Sequence, residues 1–215
     1  VCLAPIARRR NEPCDLSVAR VLARDDPGRR HARLGRRGAS ARGGHGPRRH
    51  SALELEEHLV LADHPELGPC ALLDRLDPER EPGRITLISR MGEGAAQEAL
   101  PALIRAVRSS EHPVLWSCDP MHGNTETAEG GRKTRRVERI FAELEQTFAT
   151  HAQEASRLGG VHFEMTGEAV TECLGGSVEV SEADLSRNYE TACDPRLNGS
   201  QALEMAFRIA ELLRA

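Results

Sequence analysis

Ile85-Thr86-Leu87-Ile88-Ser89 and Pro113-Val114-Leu115-Trp116-Ser117-Cys118 are the stretches from which the fold is read. The first follows the turn residues Asp77 to Gly83 and is a short β-rich run. The second is nearly continuous in apolar character, as a strand covered on both faces should be. Between them Ala95 to Val107 places Leu100, Leu103, Ile104 and Val107 on one helical face. Downstream, a long helix is expected from about Thr134 to Leu158. It would carry Val137, Ile140, Phe141, Leu144 and Phe148 on one side, with Arg135, Glu138, Arg139, Glu143 and Glu145 mostly on the solvated remainder. Gly159-Gly160 reads as its terminator and Val161 to Met165 as the third strand. An amphipathic helix around Leu203, Ala206, Phe207, Ala210 and Leu213 follows. Upstream, Ser51 to Leu61 reads as the start of a helix with Ser51 as N-cap and Glu54 completing a capping box, and Cys70 to Leu76 as a short helical segment. Strand alternating with helix is the rhythm of a parallel α/β fold.

The 215 residues suffice for a substantial core, and no apolar run approaches the roughly 18 residues that cross a bilayer, so a membrane span is not expected. The net charge of -4 is unevenly spread, with 13 Arg and four acids in residues 1–50. Residues 1–70 read as an Arg-rich, unpatterned segment, disordered or translated out of frame, and residues 71–215 as the globular part. Clustered Arg would suit a nucleic-acid arm, but this stretch lacks the aromatic residues that stack on bases. The six cysteines lie far apart with no C-x-x-C pair, which argues against a zinc ribbon or disulfide scaffold and for reduced thiols in a cytoplasmic protein. Cys118 is expected to be a buried structural thiol, and Trp116 and Phe163 to be core.

In parallel α/β folds reactive groups gather at the carboxyl ends of strands. Three such ends are polar here: Ser89-Arg90, Cys118 to Thr125, and His162 to Glu168. A fourth cluster, Thr191 to Asn198, precedes the last helix. His122, Glu164 and Asp194 together offer one imidazole and two carboxylates, a ligand set suited to a borderline divalent cation. Each also has a plainer reading: His122 as a loop hydrogen-bonder, Glu164 as an ion-pair member, Asp194 as an Asx-turn or cap residue before Pro195.

Five motifs carry a resemblance: Arg84 to Gly92; Trp116 to Thr125; Lys133-Thr134-Arg135; Gly160 to Glu168 with Val170 to Cys173; and Tyr189 to Asn198. Together they resemble the class II (plant-type) 3-deoxy-D-arabino-heptulosonate 7-phosphate (DAHP) synthases, over about residues 71–215. The resemblance implies a (β/α)8 TIM barrel, of which this chain would hold the last three βα units. It also implies condensation of phosphoenolpyruvate with erythrose 4-phosphate at the entry to the shikimate pathway and aromatic amino acid biosynthesis. By the same resemblance His122, Glu164 and Asp194 would be ligands of a divalent metal, Mn or Co, and Arg90 would grip the phosphoenolpyruvate phosphate. No catalytic acid or base is assigned. Lys133 and Arg135, expected at the start of the long helix, could hold an anion or serve as cap or ion-pair residues, and Cys193 and Cys173 would pack near the site. A homo-oligomer is implied for the intact family.

The resemblance has gaps. A Gly-Gly-Asp-Cys-Ala motif bearing a fourth, cysteine ligand and a Lys-Val-Gly-Pro motif bearing a substrate-binding lysine are both absent. Together with the Val1 start and the Arg-rich upstream text, this leads to the expectation of a truncated or frameshifted product. The alternative to an enzyme is thus a catalytically inactive remnant acting at most through protein association.

Overall fold

The computed structural model describes residues 19–23, 57–60 and 68–214. Its main sheet has five strands, β1 (Ala19–Ala23), β2 (Glu57–Val60), β3 (Ile85–Ser89), β4 (Val114–Cys118) and β7 (Leu158–Val161), in the order β2-β1-β3-β4-β7. β3, β4 and β7 run parallel, whereas β1 is antiparallel to both its neighbours. A hairpin of β5 (Thr125–Thr127) and β6 (Lys133–Arg135) stands beside the sheet. The helices are α1 (Pro69–Leu76), α2 (Ala95–Ser109), α3 (Val137–Gln153) and α4 (Gly199–Leu212). The fold is therefore mixed α/β, with helices connecting parallel strands. Among the described residues no helix is long and apolar enough to cross a membrane.

β3 has the boundaries read from the sequence, and its Ile85 and Leu87 enter one core with Leu100, Leu103 and Ile104 of α2 and Ile140 and Leu144 of α3. Trp116 of β4 is buried there, edge-on to His151 of α3 with ring centroids 5.3 Å apart. The parallel direction continues past β7. His162 N–H donates to Cys118 O at 2.8 Å, and Met165 bridges in parallel to Leu197, whose N–H donates to Glu164 O at 2.9 Å. The polar ends of β3, β4 and β7 consequently lie along one edge.

Four expectations are corrected. Glu57–Val60 is a strand rather than part of a helix begun at Ser51, because its backbone pairs with β1 from Arg20↔Val60 to Ala23↔Glu57; nonlocal pairing overrides the local capping pattern. Ser51 to Glu56, and the basic stretch over 1–70 apart from β1, β2 and residues 68–70, lie outside the described residues. Lys133 and Arg135 lie on β6 rather than on a helix, paired with β5. The long helix stops at Gln153, and Gly159-Gly160 belongs to the strand instead of terminating the helix. Gly159 instead faces Leu115 of β4, and Gly160 pairs with Ser117 in the parallel ladder. Finally, Glu143 is 1% exposed, although the helical period puts it on the polar side.

Candidate functional site

Arg90 leaves the end of β3, and Asp119 and His122 leave the end of β4. Asp119 is almost fully buried and organises both. Its Oδ1 accepts the Met121 and His122 N–H groups at 3.1 and 3.2 Å, while its Oδ2 accepts from His122 Nδ1 at 2.6 Å and stands 3.9 Å from Arg90 Nε. With Nδ1 bonded to a carboxylate, the imidazole is left to present Nε2 outward. That atom lies 3.4 Å from Glu164 Oε1, from the segment after β7. His162, two residues before Glu164, stacks over the His122 ring at 6.4 Å.

Asp194 completes the cluster. His122, Glu164 and Asp194 each bring one potential ligand atom to within 4.8 Å of the others. The loop that carries Asp194 is tied down by Glu172, whose carboxylate is buried and accepts five hydrogen bonds. Oε1 takes the N–H of Glu190 and Thr191 and Nη2 of Arg196, at 3.2, 2.9 and 2.6 Å. Oε2 takes the N–H and Nε of Arg196, at 2.8 and 3.0 Å. Downstream, Asn198 caps α4 reciprocally with Gln201, fixing where the loop re-enters the core.

Two cations from β6 offset the acids. Arg135 is fully buried; it donates to Glu164 Oε2 and Pro195 O, and to Thr125 Oγ1 at 2.9 Å, so one guanidinium touches all three segments that carry the cluster. Lys133 Nζ donates to Asp194 Oδ1 at 3.3 Å. Burial works against the charges of Asp119, Glu164 and His122, yet their mutual contacts prevail. The His122 bonds and Arg90 hold Asp119 below the ordinary carboxylate range. His122 and Arg135 take Glu164 down to about 2, and hydrogen bonds to Asp119 and Glu164 raise His122 to about 9. This is a half-buried site of paired charges, with two carboxylates and an imidazole converging and a cation on one oxygen of each acid. Such a donor set, with its supporting carboxylate on Nδ1, fits a divalent cation of the borderline class.

The three residues named from spacing are thus brought together, and Arg90 joins them through Asp119. Asp119 falls within the polar stretch Cys118 to Thr125 with no role of its own in the sequence pattern, and Arg135 lies on β6 rather than at a helix start. The spacing of Asp119 three residues before His122, just past a strand end, was the available signal for the former. Cys118 is a buried thiol, pushed up by burial and 3.6 Å from Thr147 Oγ1. Cys173 is likewise buried and raised to about 12, while Cys193 lies beside Asp194, its Sγ 3.4 Å from Oδ2.

Comparison with known proteins places this geometry in context. The model of the class-II DAHP synthetase family matches residues 65–210. The chain is 51% identical over 150 residues to phospho-2-dehydro-3-deoxyheptonate aldolase AroG of Mycolicibacterium smegmatis, a match covering 70% of this chain and 32% of that protein. It is 55% identical over 145 residues to the enzyme of the same name from Neurospora crassa, covering 66% and 30%. With that of Streptomyces coelicolor it shares 50% identity over 142 residues, covering 66% and 32%. The chain spans about a third of the length of these curated relatives.

Proposed function

The chain belongs to the class-II DAHP synthetase family, and we propose that its described residues form the metal- and phosphate-holding part of a synthase that joins phosphoenolpyruvate to erythrose 4-phosphate. The observation that carries the reading is the meeting of His122, Glu164 and Asp194 within 4.8 Å, with Arg90 on the same edge. In this reading β3, β4, β7 and the Leu197 segment are consecutive staves of a (β/α)8 barrel in a cytoplasmic homo-oligomer.

His122, Glu164 and Asp194 would hold the divalent metal, Mn or Co, which when bound supplies Lewis-acid polarisation of the aldehyde. Arg90 would take the phosphoenolpyruvate phosphate, since a planar guanidinium can donate two parallel hydrogen bonds to it. Asp119 orients Arg90 and His122 with one carboxylate, fixing the distance between the phosphate and the reacting carbonyl. Arg135 keeps Glu164 ionised, and Lys133 holds Asp194 in place. C3 of phosphoenolpyruvate bonds to the aldehyde carbon, water adds at C2, and inorganic phosphate leaves, so the three reactants balance against the sugar acid phosphate and phosphate. The site's cationic groups oppose the negative charge of two phosphorylated substrates.

The test pairs binding with turnover. Titration with Mn should show one site that His122→Ala abolishes, and phosphate release from phosphoenolpyruvate should require erythrose 4-phosphate and vanish in the same variant. Mn binding without turnover would favour a catalytically silent chain, and Mn binding indifferent to His122→Ala would overturn the site.

A further inference from the structure

Glu143 of α3 is a buried carboxylate that the reaction above does not use. Its Oε1 accepts the Met91 N–H at 2.9 Å, one residue beyond Arg90, and its Oε2 accepts from Asn124 Nδ2 at 2.7 Å, two residues beyond His122. Asn124, itself 2% exposed, donates from Nδ2 to Pro120 O at 2.8 Å as well and accepts the Glu93 N–H on Oδ1 at 3.0 Å. One turn along the helix, Gln146 Oε1 accepts the Gly94 N–H at 3.0 Å, and Arg139 pairs with both Glu93 and Glu126 at 3.0 Å. The loops after β3 and β4 also meet directly. Gly92 has φ +89°, and a Cβ there would lie 2.8 Å from Gly123 O.

We infer that Glu143 is a positioning residue that fixes the phosphate-gripping Arg90 relative to the metal-ligating His122, by clamping the backbones of their two loops to one point on α3. The inference rests on the functional reading above for the roles of Arg90 and His122, and on geometry alone for the clamp. The carboxylate is suited to this because it is an acceptor at both oxygens, where each loop offers a donor. Gln at this position would turn one oxygen into a donor facing Met91 N–H or the Asn124 amide. Asn124 cannot flip to compensate without losing Pro120 O and Glu93 N–H. Burial pushes the Glu143 carboxyl up to about 7, against the pull of the Met91 and Gly92 N–H groups.

Glu143→Gln in the full chain tests the clamp in two ways. Without any ligand, amide hydrogen exchange should rise about tenfold or more in both 90–94 and 119–125 while α4 keeps its protection, because the two loops are released together. With ligand, affinities for Mn and for inorganic phosphate should both fall, each by about tenfold, as supporting contacts behind a binding group commonly produce. Unchanged exchange in both loops overturns the clamp. A fall in Mn affinity with phosphate binding intact overturns its role toward Arg90. If wild type binds neither Mn nor phosphate, the functional reading fails, and the exchange arm still decides the clamp. Should Glu143→Gln not fold, Asn124→Ala removes the same link from the loop side and is judged by the same exchange criterion.

Discussion

Glu172→Gln is the most exacting probe of how the Asp194 loop is held. The wild-type carboxylate is fully buried and accepts five hydrogen bonds, three from backbone N–H groups and two from the Arg196 guanidinium. Gln keeps the volume but removes the charge and points an N–H2 at groups that are themselves donors. Breaking a buried pair from one side costs roughly 3–5 kcal/mol. The Arg196 side chain is 30% exposed and can pass part of its charge to water, which favours the lower end, about 3 kcal/mol. For a protein of this size that corresponds to a fall in Tm of about 6–12 °C. Urea and thermal unfolding followed by circular dichroism would measure it, with an unchanged urea slope confirming that only the native state was altered. The pH dependence has a defined sign. The bonds from Arg196 outweigh burial and lower the Glu172 carboxyl below its ordinary 4.5. Its contribution is therefore complete above about 4.5 and disappears as pH falls through the lower, folded-state value. The stability gap between wild type and Glu172→Gln should be constant from pH 7 to 6 and close in acid. A gap below about 0.5 kcal/mol at pH 7, or one that widens on acidification, would refute the reasoning.

Other perturbations have equally definite outcomes. Asp119→Asn should weaken Mn binding about 10–100-fold by isothermal titration, because the amide no longer fixes the proton on His122 Nδ1. Gly123→Ala would drive a methyl into the Gly92 backbone and should cost about 2 kcal/mol or more in urea unfolding, with Mn binding weakened in the protein that remains folded. His151 is buried, with Nε2 unpaired, and burial lowers it to about 4 from 6.5. The unfolded chain therefore takes up a proton first, and stability should decline between pH 6.5 and 4. His151→Asn should flatten that decline in denaturant titrations across the range.

What could be read from the chain depended on whether the cause was local. β3 was legible to the residue because its apolar run and its boundaries lie within a few positions, and α2 because its apolar stripe repeats over four turns. His122 and Glu164 were legible because each follows a strand end, and Asp194 because it sits in a polar cluster just before the last helix. The hairpin strand Lys133–Arg135 was not, since three residues hold too little pattern and their partner is Thr125–Thr127. Gly159-Gly160 misled because a glycine pair signals a helix end as readily as a strand position, and only its pairing with β4, where Ser117 lies 43 residues before Gly160, tells the two apart. Glu143 misled for a similar reason. Period alone sends a glutamate to solvent, while the donor that buries it, Met91, lies 52 residues away. Charged side chains that serve the site are drawn inward by partners no periodicity records.

The contact between Trp116 and His151 gives the molecule a built-in optical reporter. Trp116 is the single tryptophan in the chain, so its emission comes from one place: the middle of β4, two residues before Cys118 and the site edge. Its environment is dry, and its ring meets an imidazole that stays neutral until about pH 4. Emission should therefore be blue-shifted and steady across neutral pH. A protonated imidazole quenches indole fluorescence by accepting an excited-state electron, so a drop in intensity without a red shift would mark charging of His151 inside a still-folded core. A drop with a red shift would mark the core opening to water. One spectrum thus separates titration from unfolding, without a label and without disturbing a residue.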